Sequence, residues 1–253
     1  MKNTIFAIVA ATAMAASSAF AADMARPVYK AAPAPAPVTS WTGCYLGAGG
    51  GYSMYNADGG QFTAAGAFSN QEGTSGGRGW MGQVQGGCDY QLSGALSNWV
   101  VGAFGDYDFM DVWGNHVGFG NTGFGHMKEN EAWSAGGRIG YLVTPTLLAY
   151  ESGGYTETHF GRTNYSGIAS GAPLGVSLNS QTYNGWFLGS GFEYAFTWLP
   201  IQGLFLKTEY RFSQYQSKNI NDVTGAGVIV GIEAIHPYVQ TVSTELVYRF
   251  NWH

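Results

Sequence analysis

The sequence is short of charge. Charged residues make up 11% of the 253 positions, well under the roughly 25% of ordinary soluble domains. Much of the folded surface must therefore meet something other than water. No run of Lys or Arg occurs and the net charge is −5, which argues against a phosphate-gripping face and against nucleic acid as a partner. Beyond residue 21 no segment approaches the ~18 consecutive apolar residues of a membrane-spanning helix. That excludes a helical span but not a closed barrel, whose backbone groups satisfy one another.

Chemistry-bearing patterns are also scarce. His116, His126, His159, His236 and His253 show no metal-ligand spacing, and no H-E-x-x-H occurs. No metal or cofactor is expected. The G-x-G patterns within Gly47–Gly51 open no helix, so they lend no support to phosphate binding. A barrel hydrolase would need a His–Ser pair oriented by a third group. Sequence spacing leaves a pairing of His159 with Ser166 or Ser152 open, but no motif marks it, and the expectation is a protein that is not an enzyme. Asn164-Tyr165-Ser166 matches a glycosylation sequon and carries little weight in an exported chain of bacterial type.

What is present begins with an export signal. Lys2, the apolar run Ile5–Ala16 and the small-x-small site Ala19-Phe20-Ala21 read as a secretory signal peptide over residues 1–21. Residues 22–40, rich in Ala-Pro, favour polyproline II and cannot join a sheet ladder. They read as a periplasmic lead-in to a barrel over 41–253.

From Trp41 onward the chain divides into stretches of period two, the signature of strands. They cover 41–55, 80–92, 98–110, 131–142, 146–156, 183–196, 204–215 and 241–252. The last sets Val242, Thr244, Leu246, Tyr248, Phe250 and Trp252 against Ser243, Glu245, Val247, Arg249 and Asn251. Roughly 9–11 tilted residues cross a bilayer, and a Tyr-x-Phe-x-Trp ladder suits an interfacial girdle. Connections alternate short and long: 93–97, 143–145 and 197–203 against 56–79, 111–130, 157–182 and 216–240. Short turns on one side and long loops on the other predict an all-β, eight-stranded antiparallel up-and-down transmembrane β-barrel, with turns and termini periplasmic and loops extracellular.

Charges fall on the parity opposite the aromatics. Asp106, Asp108, Arg138, Glu151, Glu193, Lys207, Glu209, Arg211, Glu245 and Arg249 are expected inside; facing lipid near the midplane, an Arg or Lys would cost roughly 2–4 kcal/mol. An eight-stranded lumen is filled by side chains, so these groups predict a packed, paired interior. In the fifth stretch Leu148 and Tyr150 are assigned outward and Glu151 inward. Cys44 and Cys88, in an oxidising compartment, share the outward parity near the periplasmic ends of neighbouring strands. They are expected opposite each other and bridged, with two buried thiols as the alternative.

The lead-in sequence Ala22-Asp-Met-Ala-Arg-Pro-Val-Tyr-Lys-Ala31, Trp41-Thr-Gly-Cys-Tyr-Leu-Gly47 and Gly102-Ala-Phe-Gly-Asp-Tyr-Asp108 resemble those of the alphaproteobacterial outer-membrane immunogenic proteins. So do Gly137-Arg-Ile-Gly-Tyr141, Gly191-Phe-Glu-Tyr-Ala195 and the ending Tyr248-Arg-Phe-Asn-Trp252. That family is often grouped as porins with an outer membrane protein A-like barrel. The resemblance spans nearly the whole mature chain and implies an abundant surface antigen of the Gram-negative outer membrane with a mainly structural role. Its partners would be outer-membrane lipid and the barrel-insertion machinery, with Tyr248, Phe250 and Trp252 as assembly signal. His253 departs from the terminal aromatic and leaves that signal one residue internal. Two other roles stay open: a narrow porin-like diffusion channel, and a loop-borne adhesin or ligand binder using Trp113, Phe119 and Phe124.

Overall fold

The computed structural model describes residues 40–118 and 120–250. The signal segment, all but the last residue of the Ala-Pro lead-in, Phe119, Trp252 and His253 lie outside them.

The strands in chain order are β1 (Gly43–Thr63), β2 (Phe68–Gln91), β3 (Trp99–Gly118), β4 (Gly123–Thr144) and β5 (Leu147–Phe160). There follow β6 (Thr163–Gly167), β7 (Pro173–Leu178), β8 (Gln181–Ala195), β9 (Leu204–Tyr215), β10 (Lys218–Thr224) and β11 (Ile229–Phe250). All pairings are antiparallel. The ring runs β1-β2-β3-β4-β5-β8-β9-β11 and closes where β11 returns to β1, from Cys44 opposite Phe250 to Thr63 opposite Gly231. The expected eight-stranded up-and-down barrel is therefore the fold, and in its lower part closure leaves no free sheet edge.

Its walls are taller than the sequence suggests. The stretch expected as a loop over 56–79 is mostly a continuation of β1 and β2. The two strands join in a tight turn at residues 64–67, where Gly66 takes φ 83° and donates to the Thr63 carbonyl at 2.8 Å. That left-handed backbone is available to glycine without a Cβ penalty. Toward the loop end β5, β8 and β9 stop, and β6, β7 and β10 take their places. There β4 pairs with β6, β6 with β7, β7 with β10, and β10 with β11. The upper cylinder has one seam among the described residues: β2–β3 pairing ends at Gly76 opposite Asn115, although both strands continue.

Burial alternates along β11 without a phase change from Gly231 to Phe250. The chemistry of the two faces nevertheless changes hands along the strand. In the lower half Val242, Leu246, Tyr248 and Phe250 face outward and Ser243, Glu245 and Arg249 inward. In the upper half Ile235 and Val239 are inside, while His236 and Gln240 are turned outward and only partly covered. The lower barrel carries an apolar outer wall with Tyr90, Trp99, Tyr141 and Tyr194 near the turn end and Tyr52, Trp80, Trp133 and Trp186 higher up. Two aromatic belts around an apolar band are the wall of a transmembrane barrel. Above the upper belt the interior becomes an apolar core of Tyr55, Met81, Val112, Met127, Phe160, Ile235 and their neighbours.

The fifth stretch reverses one expectation. Leu148 and Tyr150 are buried inside, and Glu151 is exposed on the outer wall, accepting from Ser190 Oγ at 3.0 Å. The physical reason is Tyr150: its ring fills the lumen while its hydroxyl donates to Glu209 Oε2 at 2.8 Å. A tyrosine has both an apolar body and a polar tip, so sending every aromatic outward misassigns this strand.

Candidate functional site

The lower lumen is built from inward side chains of neighbouring strands, and it forms two linked layers. In the lower, Asp89 on β2 receives two hydrogen bonds from Arg138 on β4 and one from Arg249 on β11, the last at 2.7 Å. Arg249 also donates to Glu193 Oε1 at 2.9 Å and to the Trp41 carbonyl at 3.0 Å, and Arg138 lies 3.0 Å from Glu193 Oε2. Trp41 closes the turn end, with its indole donating to the Pro145 carbonyl at 3.2 Å and its ring 5.0 Å from that of Phe205. In the next layer Arg211 forks onto Asp106 with two bonds of 3.0 Å and donates to Glu209 at 2.9 Å. Lys207 donates to Gln85 at 2.7 Å and Glu245 at 3.1 Å.

Rings separate and cover these ions. The Arg211 guanidinium lies 4.3 Å from the Phe187 centroid, and Arg249 5.1 Å from both Tyr45 and Phe205. Space for the carboxylates comes from inward glycines. A Cβ at Gly102 would land on the Asp89 carboxylate and the Cys88 carbonyl.

Of the charges expected inside, Asp106, Arg138, Glu193, Lys207, Glu209, Arg211, Glu245 and Arg249 are buried and ion-paired. Asp108 is buried, but among the described residues it has no ion pair and its Oδ1 lacks a hydrogen-bond partner. Glu151 belongs outside. Asp89 and Gln85 share the inward parity with Gln83, and their part as the network's acceptors shows only when β2 is set beside β4, β9 and β11. Cys44 and Cys88 face each other across β1 and β2 and form the disulfide. Tyr248 and Phe250 face outward with centroids 4.9 Å apart, and Trp252 lies outside the described residues.

A second constellation occupies the upper barrel, where the sequence reading placed only loops. Ser75 on β2 and His116 on β3 are joined Oγ to Nδ1 at 2.7 Å, and His116 Nε2 lies 2.7 Å from Glu233 Oε2 on β11. Tyr165 on β6 donates to Glu233 Oε1 at 3.0 Å and stacks its ring beside His116. Asp222 on β10 is buried near Glu233; burial first, and then the charge of Glu233, push its carboxyl up to about 8. Burial and the same neighbouring charge raise the Tyr165 hydroxyl. A cavity of about 500 Å³ adjoins this array, lined by Gln61, Thr74, Ser75, His116, Asn121 and Glu233 among others. The alternative pairing considered from sequence does not form. His159 Nδ1 meets Thr182 Oγ1 at 3.0 Å, with neither Ser152 nor Ser166 as its hydrogen-bond partner. Trp113 and Phe124 lie on strands β3 and β4, with Trp113 exposed. Among the described residues, no group of three or more His, Cys, Asp or Glu side chains could hold a metal ion.

No family model matches the sequence, and no curated protein does. Among solved structures the chain is similar to the outer membrane protein OprG from Pseudomonas aeruginosa, at 10% identity and a TM-score of 0.46, over 83% of this chain and 97% of that one. It is also similar to Ail, the attachment invasion locus protein of Yersinia pestis, at 10% identity and a TM-score of 0.34, over 82% and 99%. Neisserial surface protein A matches at 12% identity and a TM-score of 0.34, over 83% and 98%.

Proposed function

We propose that this chain is a structural barrel of the Gram-negative outer membrane, with a lumen sealed by paired charges. Its strand turns and N-terminal side face the periplasm, and its tall upper hairpins stand outside the cell. The observation that carries this reading is the lower cylinder itself: outward residues between the aromatic belts are apolar but for Glu151 and a few hydroxyls, and Arg138, Arg211, Lys207 and Arg249 are all held inside on carboxylates. Insertion would satisfy every backbone group by ring closure and every inward guanidinium by a partner. Outer-membrane lipid and the insertion machinery are the partners this role requires, the latter reading Tyr248, Phe250 and Trp252. Fractionation of cell envelopes tests it. The protein is expected in the outer-membrane fraction and to run at a different apparent size on a gel before and after boiling, while recovery in the periplasmic soluble fraction would refute the reading.

The packed lumen speaks against the diffusion-channel alternative. Trp41 caps the turn end, two ion layers follow, and the apolar core around Met81, Met110 and Met127 lies above them. Planar-bilayer recordings of the purified barrel are expected to show no steady conductance steps. An adhesin or ligand-binding role at the upper hairpins, with the exposed Trp113 as its motivating residue, is tested by deleting 111–130 and assaying surface binding of cells that still carry the folded barrel.

A further inference from the structure

Ser75, His116 and Glu233 come from three strands far apart in sequence, yet they form a continuous relay. Glu233 accepts from Tyr165 on one oxygen, and its other oxygen meets His116 Nε2. In the tautomer with the ring proton on Nε2, His116 donates to this carboxylate. That leaves Nδ1 unprotonated and the Ser75 hydroxyl as donor to it. A serine hydrogen-bonded to a neutral imidazole, itself oriented by a buried acid, has the geometry of an activated nucleophile.

The surroundings fit a reaction site better than a packed core. His116 and Glu233 are buried, whereas Ser75 is only half-covered and lines the cavity. The cavity lies beside the seam where β2 and β3 cease to pair, which gives it a route to solvent. At its rim Asn121 holds a left-handed φ of 59°, an uncommon conformation for a residue other than glycine. Its side-chain carbonyl accepts from Gln61 Nε2 at 3.4 Å and its backbone N–H donates to Gln61 Oε1 at 3.2 Å. Asp222 is hydrogen-bonded beside Glu233, and burial with that neighbour's charge pushes its carboxyl up to about 8.

We propose that Ser75, His116 and Glu233 form an esterase centre in the extracellular part of the barrel, acting on short O-acyl esters of polar alcohols. Ser75 Oγ bonds to the acyl carbon while its proton passes to His116 Nδ1, and Glu233 steadies the imidazolium through Nε2–H. The tetrahedral intermediate expels the alcohol oxygen, which leaves with the proton from Nδ1. Water then attacks the acyl-serine, giving up its proton through the same nitrogen, and releases the acid and the free hydroxyl. No redox partner or metal enters. The substrate class follows from the lining: glycines, Gln61, Thr74, Asn115 and Asn121, with Val117 the apolar side chain among the lining residues. Such walls suit a polar alcohol and a short acyl group, and offer no greasy channel for a long one. Its extracellular placement rests on the orientation proposed above, whereas the chemistry rests on the side chains alone.

The test uses the full protein folded in detergent micelles, with heat-modifiability on a gel reporting the fold of every variant. A fluorophosphonate is expected to label Ser75, mapped by mass spectrometry. p-Nitrophenyl acetate should be cleaved and p-nitrophenyl palmitate should not. Ser75→Ala should abolish labelling, and His116→Gln should lower kcat/KM by roughly 10²–10⁴-fold, the usual worth of a general base. A folded wild-type protein that takes no label on Ser75, or cleaves acetate as fast as folded Ser75→Ala, overturns the proposal. Cleavage of palmitate at the acetate rate overturns the substrate class.

Discussion

Asp89 receives hydrogen bonds from the guanidiniums of both Arg138 and Arg249, and all three side chains are buried. Removing one member of such a set strands the others in a dry interior, which typically costs 3–5 kcal/mol. Arg138→Ala is therefore expected to lower unfolding stability by about that much, read as a urea midpoint in micelles. Glu151→Gln should not lower the midpoint, because it takes a charge off the lipid-facing wall and out of no buried ion set. Gly118 gives a sharper case. A Cβ there would fall on Glu233 Oε1 and the Tyr165 hydroxyl, so Gly118→Ala should displace the carboxylate and suppress Ser75 labelling in a barrel that remains heat-modifiable. Asp222 predicts a pH effect. Its folded-state carboxyl titrates at about 8 against an ordinary 3.8, so between those values the folded state holds the extra proton. Stability from this group is present at low pH and declines as pH rises through that window. Asp222→Asn should flatten the decline, as measured by denaturant unfolding at pH 4, 6 and 8.

Among the elements, the lower halves of the strands were readable because lipid and lumen impose opposite demands on alternate residues. Val242, Leu246 and Tyr248 against Glu245 and Arg249 leave little choice of face. The upper halves were read as loops for a physical reason. Once the wall meets water on both its outer side and its rim, the outward positions turn polar and the contrast fades. In β1 the continuation Tyr55-Asn-Ala-Asp-Gly-Gly-Gln61 still alternates, with Tyr55, Ala57 and Gln61 buried. Yet its glycines and polar residues look like loop composition. Ser75, His116 and Glu233 were hidden for the same reason: each sits in such a segment, and only strand register brings them together. An inward alternation of Tyr55-x-Ala57 and Ile235-x-Pro237-x-Val239 was the available signal. The disulfide could be placed because both cysteines lie in the legible part. Reduction is expected to leave the barrel folded on a gel while lowering its urea midpoint by no more than the ~4 kcal/mol that chain entropy assigns to a loop of this span.

At the scale of the molecule, the barrel combines two kinds of interior. One is ionic and wrapped by an apolar wall; the other is apolar and wrapped by a polar wall. The boundary lies near Tyr52, Trp80, Trp133 and Trp186, and above it the outer surface carries Arg78, Asp111 and Lys128, the last two ion-paired at 2.7 Å. This changeover fixes the depth at which the cylinder can float. Sliding it inward by one residue pair would drag Asp111 and Lys128 toward the acyl chains, and sliding it outward would wet Leu46 and Tyr248. Each displacement is opposed by every stave at once, so the protein would be held at one level in the bilayer like a buoy with its waterline painted on. Strain placed on the upper hairpins would reach the wall as a whole, with little give from any single strand.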